Sequence, residues 1–192
     1  MTIIRQFTSS ETQPTAIKYD SGFLWIAYTL SSGVCTIQKV IATDPSQIAI
    51  DFDISVNAIN DIETYISYVF LAYDDSTLLG QRYAKTNPSY TPVDYDKPVS
   101  VTEEAIACLL TSTHVYFLTP GIESGENAKI IKFTLSGTFV EIIDLTTVTN
   151  AKSFTIDAND EIRVVTFSSP AQLVRVYDLD TTPQFSVDSI TD

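Results

Sequence analysis

The residues able to do chemistry are few, and most stand alone. His114 is the single histidine, so any Ser-His-Asp or Cys-His set would have to use it. No Gly-x-Ser-x-Gly turn is present to lift a nucleophilic serine. Cys108 is near in sequence, but it lies in the apolar run ACLL, where a thiol tends to stay protonated. Cys35 and Cys108 lack metal-ligand spacing and read as buried free thiols. His114 precedes VYFLT and reads as an ordinary strand-end residue.

Carboxylates are more plentiful. Asp51 with Asp53, and Asp94 with Asp96, are two apart, which on a strand turns each pair to one face. Asp74 with Asp75 and Glu103 with Glu104 are adjacent. Such pairs can bind calcium or serve a glycosidase. EF-hand spacing is absent, and solvated outer-strand faces are the plainer reading, so neither a metal nor a cofactor is expected. Asn57, Asn60 and Asp61 lie near one inner strand and are the local candidates for a hydrolase or lactonase-like site.

Two other groups of residues carry recognition chemistry. Lys39, Arg82, Lys132 and Arg175 are spaced 43, 50 and 43 residues apart. They are expected to pair across strands with Asp51, Asp94, Glu141 and Asp188. Trp25, Tyr28, Phe70, Tyr73, Tyr116 and Phe117 sit in dense apolar runs and are expected in the core. Tyr65, Tyr68, Tyr90 and Tyr95 sit in looser sequence and suit a sugar- or protein-binding surface.

The elements that must hold these residues are strands. The chain has 192 residues, 44% of them hydrophobic, with 10 Tyr and 10 Phe; this composition suits a pleated, half-buried surface. No amphipathic helix is legible. Residues 128–145, AKIIKFTLSGTFVEIIDL, give the cleanest hairpin. Ile131, Phe133 and Leu135 alternate with Lys132 and Thr134, and Ser136-Gly137 supplies the turn.

The hairpin belongs to a repeat. Apolar segments end at Tyr28, Tyr73, Thr119 and Thr166, spaced 45, 46 and 47 residues. Four strands per period of 40 to 50 residues is the sequence sign of a β-propeller. The expected fold is therefore an all-β propeller of four blade-like repeats, each of four antiparallel strands, covering 15–54, 57–101, 104–146 and 151–190 of one domain. Residues 2–7 are expected to be a closing strand. A β-sandwich is the alternative. Four repeats can close as one disc, or two copies can pair into an eight-bladed ring.

The segments SFTIDANDEIRVVTF (153–167) and KIIKFTLSGTFVEI (129–142) resemble the NHL-type and related short-blade propellers. In those families a first strand ends in Asp, an apolar strand runs beside it, and a hairpin with a Gly turn closes the blade. The resemblance implies a disc with loops on two faces and a central channel. It implies no particular activity, because propellers host many functions.

Charge narrows the partners. The net charge is −13 and basic clusters are absent, so nucleic acid is not an expected partner. No apolar run approaches the roughly 18 residues needed to cross a membrane, and MTIIR is not followed by an apolar stretch of signal-peptide length. A virion or cytoplasmic setting is the expectation.

The leading expectation is a non-enzymatic interaction and assembly module, a structural component of a larger particle such as a virion or a phage tail or spike. Its partners are expected to be proteins, including further copies of itself. The alternatives are a lectin-like propeller holding a glycan and a propeller hydrolase. The longer loop 120–127 is specific to the third repeat, and loops carry contacts. Ile122, Glu123, Ser124, Glu126 and Asn127, together with Tyr90, are the expected partner-contact residues.

Overall fold

The computed structural model describes residues 14–30, 33–88, 91–123, 125–146, 148–156, 161–168, 171–178 and 186–189. The chain is all-β, with four antiparallel four-stranded sheets and no helix among the described residues. The first sheet holds β1 (Pro14–Asp20), β2 (Phe23–Thr29), β3 (Cys35–Ile41) and β4 (Asp44–Ile54). The second holds β5 (Ala58–Tyr65), β6 (Tyr68–Asp74), β7 (Leu78–Ala84) and β8 (Val93–Asp96). The third holds β9 (Ala107–Leu110), β10 (His114–Thr119), β11 (Lys129–Thr134) and β12 (Phe139–Asp144). The fourth holds β13 (Ala151–Ile156), β14 (Glu161–Ser168), β15 (Ala171–Asp178) and β16 (Ser186–Ser189). Each sheet is a meander in chain order.

The second strands explain why their sequences are continuous rather than alternating. In β6, Val69, Leu71 and Tyr73 enter one core, and Phe70 and Ala72 enter another. In β10, Val115 and Phe117 share a core with Phe70, while Tyr116 and Leu118 pack with Ile162 and Val164 of β14. A strand buried on both faces needs apolar residues at every position. Successive sheets therefore pack face to face. A lone hairpin is marginal in water. Burial of large side chains, at about 2 kcal/mol each, is what holds the hairpins together.

Two turns show local sequence rules at work. Asp20 and Phe23 face each other across Ser21 and Gly22, whose φ values are 50° and 88°. That is the primed two-residue turn that matches strand twist. In the expected hairpin at 128–145, Gly137 has φ 94° and its N–H reaches the Thr134 carbonyl at 3.1 Å. The sequence Asp44-Pro45-Ser46 reads as a break between two strands, and here the structure differs. Asp44-Pro45-Ser46 does not break the chain but opens β4, an edge strand whose register slips beside Val40. An edge position with a bulge is where a strand tolerates proline. The expected strand at 2–7 lies outside the described residues.

The first strands of the four sheets stand side by side in chain order: β1 beside β5, β5 beside β9, β9 beside β13. Among the described residues no comparable approach joins β13 back to β1.

Candidate functional site

The meanders sort the connections into two ends. The β1–β2, β5–β6, β7–β8, β9–β10 and β11–β12 connections lie at what we term the turn end. The β2–β3, β6–β7 and β10–β11 connections, with the crossings between sheets, lie at the crossover end. Contacts between neighbouring sheets respect this division.

At the crossover end, loop 120–127 is built around a carboxylate. Glu103, 3% exposed, accepts the N–H of Gly121 at 2.5 Å, of Ile122 at 2.6 Å and of Glu123 at 2.8 Å. Gly121 has φ 67°, and a Cβ there would sit 2.2 Å from the Ala128 nitrogen, so only glycine fits. The Asn150 N–H donates to the Gly121 carbonyl and the Ala151 N–H to the Pro120 carbonyl, tying the loop to the start of β13. Thr102 donates to Glu123, and Lys129 pairs with Glu126. Ile122 is left 59% exposed. Four of the expected contact residues, Ile122, Glu123, Glu126 and Asn127, are thus gathered around this carboxylate-anchored segment. Ser124 and Tyr90 lie outside the described residues, and the strands flanking Tyr90, β7 and β8, connect at the opposite end.

At the turn end the sheets are pinned by side chains reaching into neighbouring turns. Lys85, a residue only 8% exposed, donates to Asp20 at 2.6 Å and to the Ile66 carbonyl at 2.9 Å. Burial works to raise the Asp20 pKa, but the Lys85 bond and charge outweigh it and hold the carboxyl below its ordinary value. The tip of the β11–β12 hairpin docks on the second sheet. Its Leu135 carbonyl accepts from Arg82 at 2.6 Å and from the Tyr95 hydroxyl at 3.0 Å.

The inner strands carry a polar row. Asn60 donates to the Ala105 carbonyl at 2.8 Å, and the Asp61 carboxylate accepts the Cys108 N–H at 2.9 Å. Both bonds cross from the second sheet to the third. Lys18 of β1 pairs with Glu63 of β5 at 2.6 Å. Burial pushes the Asp61 pKa up to about 6, against the pull of its backbone donors. These residues knit three sheets at their inner edges.

The register corrects the expected cation pairs. Antiparallel partners share a face. Lys132 stands opposite Glu141 and meets it at 3.0 Å, as expected. Asp94 stands opposite Gln81 and bonds it at 2.6 Å, so it points away from Arg82, which faces Val93. Likewise Asp51 stands opposite Gln38, whereas Lys39 lies over the rings of Phe23 and Trp25 at 4.1 and 5.4 Å. A one-residue offset turns a neighbour to the other face. The side chains of Arg175 and Asp188 lie outside the described residues.

The other chemical candidates resolve simply. Asp53 accepts from Thr36, and Asp75 caps its own turn through Thr77 and Leu78. Among the described residues no group of His, Cys, Asp and Glu is placed to hold a metal. Cys35 and Cys108 are buried free thiols, and burial drives the Cys108 pKa well up. His114 is the strand-end residue expected, opening β10 with its ring Nδ1 2.8 Å from the Thr113 hydroxyl. Tyr95 does not join a surface: it is 0% exposed, ringed by Phe117 and Phe133. Tyr68 is 38% exposed under the Arg82 guanidinium.

Glu103 was missed as an organising residue, and its sequence signal is thin. It reads as half of a surface acid pair, and only the cluster of turn-forming residues far downstream, Pro120-Gly121, hints at exposed amides in need of an acceptor.

The chain matches no protein-family model and no curated protein. Solved structures similar in fold include the following two. One is the computationally designed Ika4 protein, with a TM-score of 0.56, 11% identity, and 96% of this chain and 94% of that one covered. The other is a prolyl endopeptidase, with a TM-score of 0.56, 10% identity and 89% of this chain covered. This chain spans 26% of the endopeptidase's length.

Proposed function

We propose that the chain is a non-enzymatic, propeller-type assembly module that completes its ring by pairing with a second copy, and that it serves as a building block of a larger particle such as a virion or phage tail. The observation that carries this reading is the open end of the stack. Among the described residues β1 and β13 do not pack side by side as β1 and β5 do, and on the face of β1 turned away from the second sheet Ile17 and Tyr19 are 59% and 63% exposed. Ile17 stands opposite Ile26 and Tyr19 opposite Leu24, so they extend the small apolar cluster of Ile26, Tyr28 and Val40 to the sheet edge. At the other end of the stack, Val165 of β14 is 39% exposed.

Four meanders whose inner strands lie side by side form an arc with unlike ends. A head-to-tail contact of the fourth sheet on the first, repeated by a two-fold axis, closes two arcs into one ring. Closure also removes the free sheet faces, which otherwise invite uncontrolled association.

Light scattering on purified protein tests this. Twice the chain mass is expected for the native protein, and the chain mass for Ile17→Asp/Tyr19→Asp. A native protein that stays monomeric as concentration rises would sink the ring. Ile122→Asp, on loop 120–127, is expected to leave the mass of the pair unchanged, because that loop lies at the crossover end and away from the seam.

A further inference from the structure

At the turn end, Tyr68, Arg82, Thr86, Asn87, Thr91 and Val93 line a cleft of about 350 Å³. Its centre is a cation without an acid. The Arg82 guanidinium stacks on the Tyr68 ring, 4.2 Å from the centroid, and one terminal nitrogen donates to the Leu135 carbonyl at 2.6 Å. No carboxylate among the described residues pairs with it, whereas Lys18, Lys85, Lys129 and Lys132 each hold one. Lys39, over aromatic rings, and Lys97, on the Asp75 carbonyl, also hold no carboxylate, but in a chain of net charge −13 a bare guanidinium still needs a reason. The register supplies it: Arg82 faces Val93, and Asp94 is turned to the other side.

The stacking and the Leu135 bond fix the plane of the fork and leave N–H donors unused on its other edge. A planar fork with two parallel donors matches a carboxylate and binds it bidentately. Thr86, Asn87 and Thr91 are exposed and add hydroxyl and amide groups around the same cleft. The volume lies at the small end of the range for ligand pockets and leaves room for one sugar ring with water around it.

We propose that this cleft binds a carboxylated monosaccharide, with its carboxylate on the Arg82 fork and its ring hydroxyls on Thr86, Asn87 and Thr91. The site stands apart from ring closure, because it lies between the second and third sheets of one chain.

NMR titration with D-glucuronate, D-glucose, acetate and N-acetylglycine at one ionic strength tests it. Glucuronate is expected to saturate with shifts at Arg82 and Asn87, and to bind at least about tenfold more tightly than glucose, which lacks the charge-assisted pair, and than acetate, which lacks the ring hydroxyls. Arg82→Lys keeps the charge, loses the fork and is expected to weaken glucuronate about tenfold. Asn87→Ala, on an exposed loop and without structural bonds, is expected to weaken it with the melting temperature unchanged. Absence of saturable glucuronate binding overturns the proposal. So does equal binding of glucose or acetate, tighter binding of N-acetylglycine (a peptide-terminus site), or full binding by both variants.

Discussion

The carboxylate of Glu103 lies 2.5 Å from the backbone nitrogen of Gly121 and serves as the template for a whole loop. Three successive N–H groups converge on it, in place of the partners that a regular ladder would provide. Glu103→Ala orphans all three. With each buried, unmet donor costing about 1–3 kcal/mol, a loss on the order of 3 kcal/mol is expected in urea denaturation. Hydrogen exchange at Gly121, Ile122 and Glu123 is expected to accelerate before the rest of the third sheet. Unchanged stability with those amides still protected would show that the loop holds itself.

How much of this was legible in sequence depends on the range of the interaction. Period-2 runs and glycine turns are local, so the hairpin at 128–145 and the four meanders follow directly from the chain. The two-faced burial of β6 and β10 was visible as VFLAY and VYFL, because each position in such a strand must be apolar. The partners of Lys39 and Arg82 were not visible. Their identity depends on register, and a bulge beside Val40 or Gly80 shifts it by one residue. Glu103 was invisible for a related reason. Its three donors lie 18 to 20 residues away on a loop with no periodicity, and a buried acid looks like a surface acid in sequence.

Gly80 stands where the third sheet presses on the second. A Cβ at this position would meet the Leu71 carbonyl oxygen at 2.0 Å and the Phe117 ring at 2.7 Å. The ring can shift, but the backbone oxygen is held in the β6–β7 ladder. Gly80→Ala is therefore expected to cost about 3 kcal/mol through overpacking and ladder distortion. Adding Phe117→Leu should recover only a minor part of it. Denaturation midpoints of the single and double variants check this, and full recovery in the double variant would place the whole clash on the ring.

Ile66 occupies the first position of the two-residue turn between β5 and β6, with φ 47° and 74% exposure. A β-branched residue is strained in the left-handed region, by about 1–2 kcal/mol, and this side chain buries little in return. The Lys85 bond to the Ile66 carbonyl runs through the backbone and survives substitution. Ile66→Gly is expected to stabilise the protein by up to about 1 kcal/mol, after allowing for the extra freedom glycine gives the unfolded chain. A rise in melting temperature checks it; a fall would mean that the exposed side chain has a contact worth more than the strain.

Asp61 sets the pH response. Burial raises its pKa from 3.8 to about 6, so between those values the native protein binds more protons than the unfolded chain. Stability from this group is full below the unfolded value and is lost as pH rises through the folded one. The loss is about 2–3 kcal/mol between pH 4 and pH 7. Asp20 and Asp75 act oppositely. For each, burial works to raise the pKa but hydrogen bonds win and lower it, so their contribution is present above the unfolded value and fades as pH falls below it. Stability is therefore expected to peak near pH 4 to 5, on the acid side of neutrality. Asp61→Asn cannot titrate. Its stability is expected to lose that fall between pH 5 and 7 and keep only a slight rise from His114, whose pKa burial and Lys132 lower, although the variant loses part of one backbone bond, since its amide offers one acceptor where the carboxylate offered two for Ile62 and Cys108. Urea denaturation of both proteins across that range decides the matter. If the variant keeps the native slope, the proton is taken up elsewhere, and the inner row between the second and third sheets has no part in it.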